Sequence, residues 1–211
     1  MSRHAARSPV VSRTVLFLRH LTSITWFFVE SLRWILVKPF QGKPLRVKAA
    51  IAQMEEVGVK SLPIVLLVSF VIGIILVLQT AYQLAKFGAV NYAASLAGVA
   101  MTREMGPLLT AIVVAGRVSA AFTAELGTMM VTEEILALEV MAIAPIAYLV
   151  VPRLLAMLIM LPCLTVVADV TGMIGGYVVG TTAVGIRSSL YIQNTLDSLL
   201  TKDILTGLFK S

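Results

Sequence analysis

The apolar residues of this chain fall into long unbroken runs, not into short alternating stripes. The cleanest, LPIVLLVSFVIGIILVLQTAY from about Leu62 to Tyr82, carries no charge and matches the ~20 residues a helix needs to cross a bilayer. Pro63 stands near its start, where a missing N–H is tolerated. A polar turn around Lys86 to Asn91 follows, then runs from about Tyr92 to Leu126, Pro145 to Val167 and Val170 to Ile186. Only Ala168 and Asp169 separate the last two, so the pattern predicts a tight helical hairpin with Asp169 at a water-exposed turn. The fold expected is an all-α integral membrane protein with about four transmembrane helices.

The region ahead of these spans is different. Between Thr14 and Val37 the polar residues Arg19, Ser23, Glu30 and Arg33 fall near one side of a helix, and Phe17, Leu21, Ile24, Phe28 and Leu32 occupy much of the rest. Both tryptophans, Trp26 and Trp34, lie here, and Trp prefers the headgroup level, so a helix in the membrane interface is expected, with a true span as the alternative. Lys38 and Pro39 end it ahead of the loop FQGKP, and a second amphipathic helix from about Leu45 to Val59 leads into the bilayer. Residues 1–60 thus form a basic N-terminal region and residues 61–211 the membrane domain. The interruption of the first apolar stretch by Arg19 and His20 argues against a cleaved signal.

Charge sets the orientation. Through Lys60 there are ten basic residues against three acids, and afterwards seven against eight. A basic segment beside apolar spans belongs at the cytoplasmic face. With the N-terminus inside, the 125–141 connection and the C-terminal tail are expected in the cytoplasm, and the turns at 86–91 and 168–169 outside.

Composition agrees: 58% of residues are hydrophobic and 13% charged, mean hydropathy is +0.93, and soluble domains average roughly 45–50% and 25%. The basic residues are interleaved with apolar ones and form no separate polar domain, which excludes a nucleic-acid-binding module. Cys163 is the only cysteine, both histidines lie near the N-terminus, and Gly42-Lys43 in QGKP lacks the rest of a phosphate-binding loop. No catalytic group, metal set or bound cofactor is expected in this chain.

The acids are where chemistry concentrates. In ELGTMMVTEEILALEVM, residues 125–141, Glu125, Glu133, Glu134 and Glu139 crowd between two apolar runs. Thr128 or Thr132 can cap a short helix whose first turn holds Glu133 and Glu134, and Val131, Ile135 and Leu138 share a face. Two readings fit: a connecting helix lying on the membrane, or a docking helix whose apolar ridge enters a groove on a soluble partner while its carboxylates set the register. Acids beside anionic lipid are repelled, which favours a partner. Small residues recur every fourth position at Gly116, Ala120, Ala124 and again at Gly172, Gly176, Gly180, a spacing that lets helix backbones approach closely in lipid.

In order along the chain stand GVKSLPIVLL, VLQTAYQLAKFGA, REMGP, AGRV, AELGTM, the EE-x-x-AL segment and VVPR. Over about Val57 to Ser211 the chain resembles the MlaE/YrbE permeases of ABC transporters that work with MCE proteins. The resemblance implies a permease half-unit of a phospholipid transporter in the bacterial inner membrane. It would form a homodimer on a separate cytoplasmic ATPase holding ATP and Mg, with residues 125–141 as coupling helix and a periplasmic MCE-domain protein as lipid partner. Leu136 stands where many members carry Asp, and Ala142-Ile143-Ala144-Pro145 departs from the family pattern. TKDILTGLFKS resembles the segment before a last transmembrane helix, which this chain is expected to lack.

Within that frame Arg103 and Glu104, between YAASLAGVAM and GPLLTAIVV, are expected to line a headgroup-accessible cavity, with a structural pair near the outer interface as the alternative, since ionisable residues at bilayer depth face protein or water. Leu76, Leu84 and Phe87 are the expected acyl-chain contacts. Arg117 and Arg153 are expected to anchor the ends of the 125–141 segment. The rival functions are an ion-coupled secondary transporter using Arg103, Glu104 and Asp169, and a non-transporting membrane scaffold.

Overall fold

The computed structural model describes residues 9–36, 47–199 and 201–210, and every regular element among them is helical. In chain order they are α1 (Pro9–Leu36), α2 (Val47–Val57), α3 (Leu62–Ala85), α4 (Ala93–Ala100), α5 (Gly106–Val131), α6 (Glu134–Val140), α7 (Val151–Thr182), α8 (Ser188–Ser198) and α9 (Thr201–Lys210). Two π-helical turns, Met101–Met105 and Ile146–Val150, run directly into α5 and α7. The expected helix stop at Lys38 and Pro39 and the QGKP loop lie outside the described residues.

Among the described residues, three stretches are long and apolar enough to cross a membrane: Val47–Ala85, Val90–Val131 and Ile146–Thr182. The expected hairpin at Ala168 and Asp169 does not form; α7 passes through both residues without a break. Neither residue breaks a helix. Asp169 is buried, not water-exposed, because Gly106 of α5 leaves room for its carboxylate; a Cβ on Gly106 would overlap Asp169 Oδ1. At 1.5 Å per residue, the 32 residues of α7 extend about 48 Å, enough to cross the hydrocarbon layer and project beyond it.

Losing one crossing moves the tail. Asn194 Nδ2 of α8 donates to the Asn91 carbonyl at 2.9 Å, and Ser95 Oγ donates to the Asn194 carbonyl at 2.9 Å, so α8 caps the same end of the bundle as the 86–92 turn. The opposite end carries α2, the start of α3, the end of α5, α6 and the start of α7: there Arg117 Nη1 of α5 donates to Ser61 Oγ at 2.7 Å and to the Glu56 carbonyl at 3.1 Å. The residues after α7 therefore emerge opposite the 125–141 segment, not beside it as expected.

The axis of the bundle is the α3–α7 pair. Gly73 meets the backbone of Gly172, Gly175 meets the Phe70 carbonyl, and Gly176 meets Val77. Backbones this close are how helices associate in lipid, where burial against lipid tails offers little driving force. Val65, Val114, Val118, Ala156, Leu164 and Ala168 form one buried cluster toward the α6 end, and Val77, Ala81, Ala93, Ala94, Ala97 and Tyr191 another toward α8. Helix α1 leans on α7 and the 146–150 turn; Ser31 is buried, while Trp26, Phe28 and Val29 stand exposed.

Candidate functional site: the acidic segment and the charged turn

The 125–141 segment begins as a continuation of α5. Gly127 does not stop the helix: Thr128 Oγ1 donates to the Ala124 carbonyl and Thr132 Oγ1 to the Thr128 carbonyl, both at 3.0 Å, so α5 runs five residues past the expected end at Leu126, to Val131. Thr128 is thus a mid-helix residue and not a cap. The chain then reverses at Glu133, which adopts φ 59° and precedes α6. Ala142, just past the other end of α6, has φ 56°. L residues in this left-handed region carry local strain, so both corners of α6 are held bent by their surroundings.

The expected ridge of Val131, Ile135 and Leu138 divides. Leu138 is buried and, with Ile135, lines a cleft of about 230 Å³ bounded by Met129, Met141, Tyr148 and Leu149. Val131 points the other way, 84% exposed at the tip of α5. The outward apolar surface includes Met130, Val131, Leu136, Val140 and Met141, interspersed with the exposed Glu133, Glu134 and Glu139. Sequence periodicity missed this exchange because the left-handed turn at Glu133 resets the helical phase between Val131 and α6.

Ion pairs fix the base of this unit. Arg153 Nη2, in the first turn of α7, meets Glu125 Oε2 near the end of α5 at 2.5 Å, and its guanidinium lies 4.8 Å from the Phe122 ring centre. Arg117 serves another joint. Its contacts with the Glu56 carbonyl, Ser61 Oγ and, at 3.6 Å, the Glu56 carboxylate tie α5 to the α2–α3 connection.

A second polar centre lies on the π turn. Arg103 Nε donates to Asp203 Oδ1 of α9 at 2.5 Å, and Lys210 Nζ donates to Glu104 Oε1 at 2.5 Å. Asp203 is buried, and Gly207 of α9 abuts the Thr102 carbonyl. Arg103 and Glu104 are thus partnered by α9. Sequence reasoning did not find these partners, although an acid at 203 and a base at 210, two helical turns apart, offered complementary charges to the Arg103-Glu104 pair.

Leu76 and Leu84 pack against the cluster of Ala93 and Tyr191, while Phe87, 83% exposed, stands in the turn beyond α3. Gly172, Gly176 and Gly180 are each crowded by Met101, Val77 or Tyr191, whereas Gly116 has nothing within 4 Å of where a Cβ would sit. The face of α5 carrying Gly116, Ala120 and Ala124 is exposed along this chain.

A family model described as permease MlaE matches residues 50–211. A probable ABC transporter permease protein of Rickettsia prowazekii is 39% identical over 176 residues, 83% of this chain and 66% of that one. The intermembrane phospholipid transport system permease protein MlaE of Haemophilus influenzae is 37% identical over 171 residues, covering 80% and 63%. The chloroplastic protein trigalactosyldiacylglycerol 1 of Arabidopsis thaliana is 32% identical over 177 residues, covering 84% and 50%. The chain spans about two thirds of the length of the Rickettsia relative.

Proposed function

Because the chain belongs to the MlaE permease family, we propose that it is the membrane subunit of an ABC transporter that moves phospholipid between the bacterial inner membrane and a periplasmic MCE-domain partner. The observation that carries this reading is α6. It is a seven-residue helix between two spans, with Val131, Leu136, Val140 and Met141 outward and three carboxylates around them. Apolar contacts of this kind supply affinity and rim charges supply register.

In the proposed cycle a separate cytoplasmic ATPase holds ATP and Mg and closes around them. α6 moves with it, and because Glu125 and Arg153 join the ends of α5 and α7, the two spans shift together, favouring one of two packed arrangements. The exposed face of Gly116, Ala120 and Ala124 is the proposed contact with a second copy of the chain. Arg103 and Glu104 are the proposed headgroup-facing charges of the lipid cavity, with Leu76, Leu84 and Phe87 against acyl chains. The N-terminal region, α2 and α6 lie on the cytoplasmic side in this reading.

Two measurements test it. Isolation in mild detergent followed by an ATPase assay is expected to recover a nucleotide-hydrolysing partner, which an ion-coupled transporter lacks. In proteoliposomes with that partner, the Glu133→Lys, Glu134→Lys double variant is expected to hydrolyse ATP without moving lipid. Full coupling in that variant would overturn the proposed role of α6.

A further inference from the structure

Arg153 uses its guanidinium incompletely. Nη2 meets Glu125, but Nε and Nη1 are buried and have no hydrogen-bond partner. Buried donors without acceptors are rare, and the cost is highest on a charged group. A complementary orphan lies in the next helix: Oε1 of Gln53 in α2 is buried and has no donor.

The two orphans share a seam. Helix α2 packs along the beginning of α7, with Gly58 against Met160 and with Met54 and Val57 in one cluster with Ala156 and Met157. Gln53 is four residues before Val57, and Arg153 four before Met157; residues four apart lie on one helix face. Both unpaired groups therefore occur one turn from residues of the apolar cluster that α2 and α7 share.

We infer that Arg153 is a two-position latch between the coupling segment and α2. In the position seen here it clasps Glu125 and closes the base of the segment carrying α6. In the other, α2 shifts along α7 and Gln53 Oε1 accepts from Nε or Nη1, releasing Glu125. Each position satisfies a different donor of the guanidinium and leaves another unpaired, so neither satisfies the whole group, which is what makes an element bistable. The role of the latch in coupling rests on the function proposed above; its existence does not.

The test uses the full chain alone in lipid nanodiscs, in a Cys163→Ser background, with spin labels on Ile51→Cys of α2 and Val140→Cys of α6, both exposed positions. Pulsed dipolar spectroscopy reads the distance between them. Gln53→Leu removes the second acceptor and is expected to leave one distance. Glu125→Gln weakens the first and is expected to raise the share of a second distance about tenfold over the labelled parent with Gln53 and Glu125 intact, the worth of one hydrogen bond to a charged group. Gln53→Glu strengthens the second acceptor and is expected to make that distance predominate. Identical distributions in Gln53→Leu, Glu125→Gln and Gln53→Glu would overturn the latch. A shift between them without any ATPase partner on isolation would leave the latch standing and remove the proposed function.

Discussion

The ammonium of Lys210 lies 3.1 Å from the carbonyl oxygen of Arg103, the acceptor that Pro107, four residues on, has no N–H to serve. The same ammonium reaches Glu104. The last residue of α9 thus stabilises a backbone defect in the middle of a membrane span, beside a π turn of the kind often found at functional sites.

The two ion pairs of this turn are expected to respond unequally. Arg103 is half-exposed and Asp203 almost fully buried. Arg103→Met strips a buried carboxylate of its guanidinium and is expected to cost ~3 kcal/mol. Lys210→Met breaks a pair exposed on both sides and one exposed hydrogen bond to the Arg103 carbonyl and is expected to cost only ~1–1.5 kcal/mol. Thermal unfolding in detergent ranks the two, and equal losses would contradict the burial argument.

The corners of α6 give a prediction of opposite sign. Ala142→Gly relieves a left-handed alanine at the cost of a more flexible unfolded chain, for a net gain of ~0.5–1 kcal/mol. Ala142→Val adds branching where φ is 56° and is expected to lose at least ~1 kcal/mol. Melting temperatures of the two variants on either side of the parent check this.

Glycines distinguish faces that pack within the chain from those that do not. Gly73→Ala forces a methyl onto the Gly172 backbone, which no side-chain movement can relieve, and is expected to cost more than ~3 kcal/mol. Gly116→Ala meets open space and is expected to gain up to ~1 kcal/mol from helix propensity. If a second copy covers that face, Gly116→Leu lowers the dimer fraction in size-exclusion light scattering while leaving the monomer folded.

Burial against Tyr177, Gly176 and Gly180 pushes the Tyr191 phenol of α8 up from 10 to about 12. The folded state therefore favours the neutral ring. That contribution is complete below pH 10 and is lost as pH rises through about 12. Tyr191→Phe is expected to flatten stability over this interval in a pH series of unfolding curves.

How much of this was legible in the residues depended on whether a signal was local. Helix α3 could be read from an uncharged run, and α6 from four carboxylates between apolar stretches. The continuity of α7 could not, because one Asp in a greasy run suggests a turn unless a glycine on another helix makes space for it, and Gly106 lies 63 positions away. The left-handed corners at Glu133 and Ala142 were equally invisible, since neither is glycine or asparagine. The partners of Arg103 and Glu104 required knowing that α9 folds back onto the π turn.

The unbroken course of α7 has a mechanical corollary. A hairpin at Ala168 would have absorbed any displacement delivered at Arg153 within half the membrane. A single stiff rod instead carries the same tilt to Thr182, so that a nudge at the acidic face reappears on the far side as sideways travel beneath α8, with Pro162 the place where some of it can leak away.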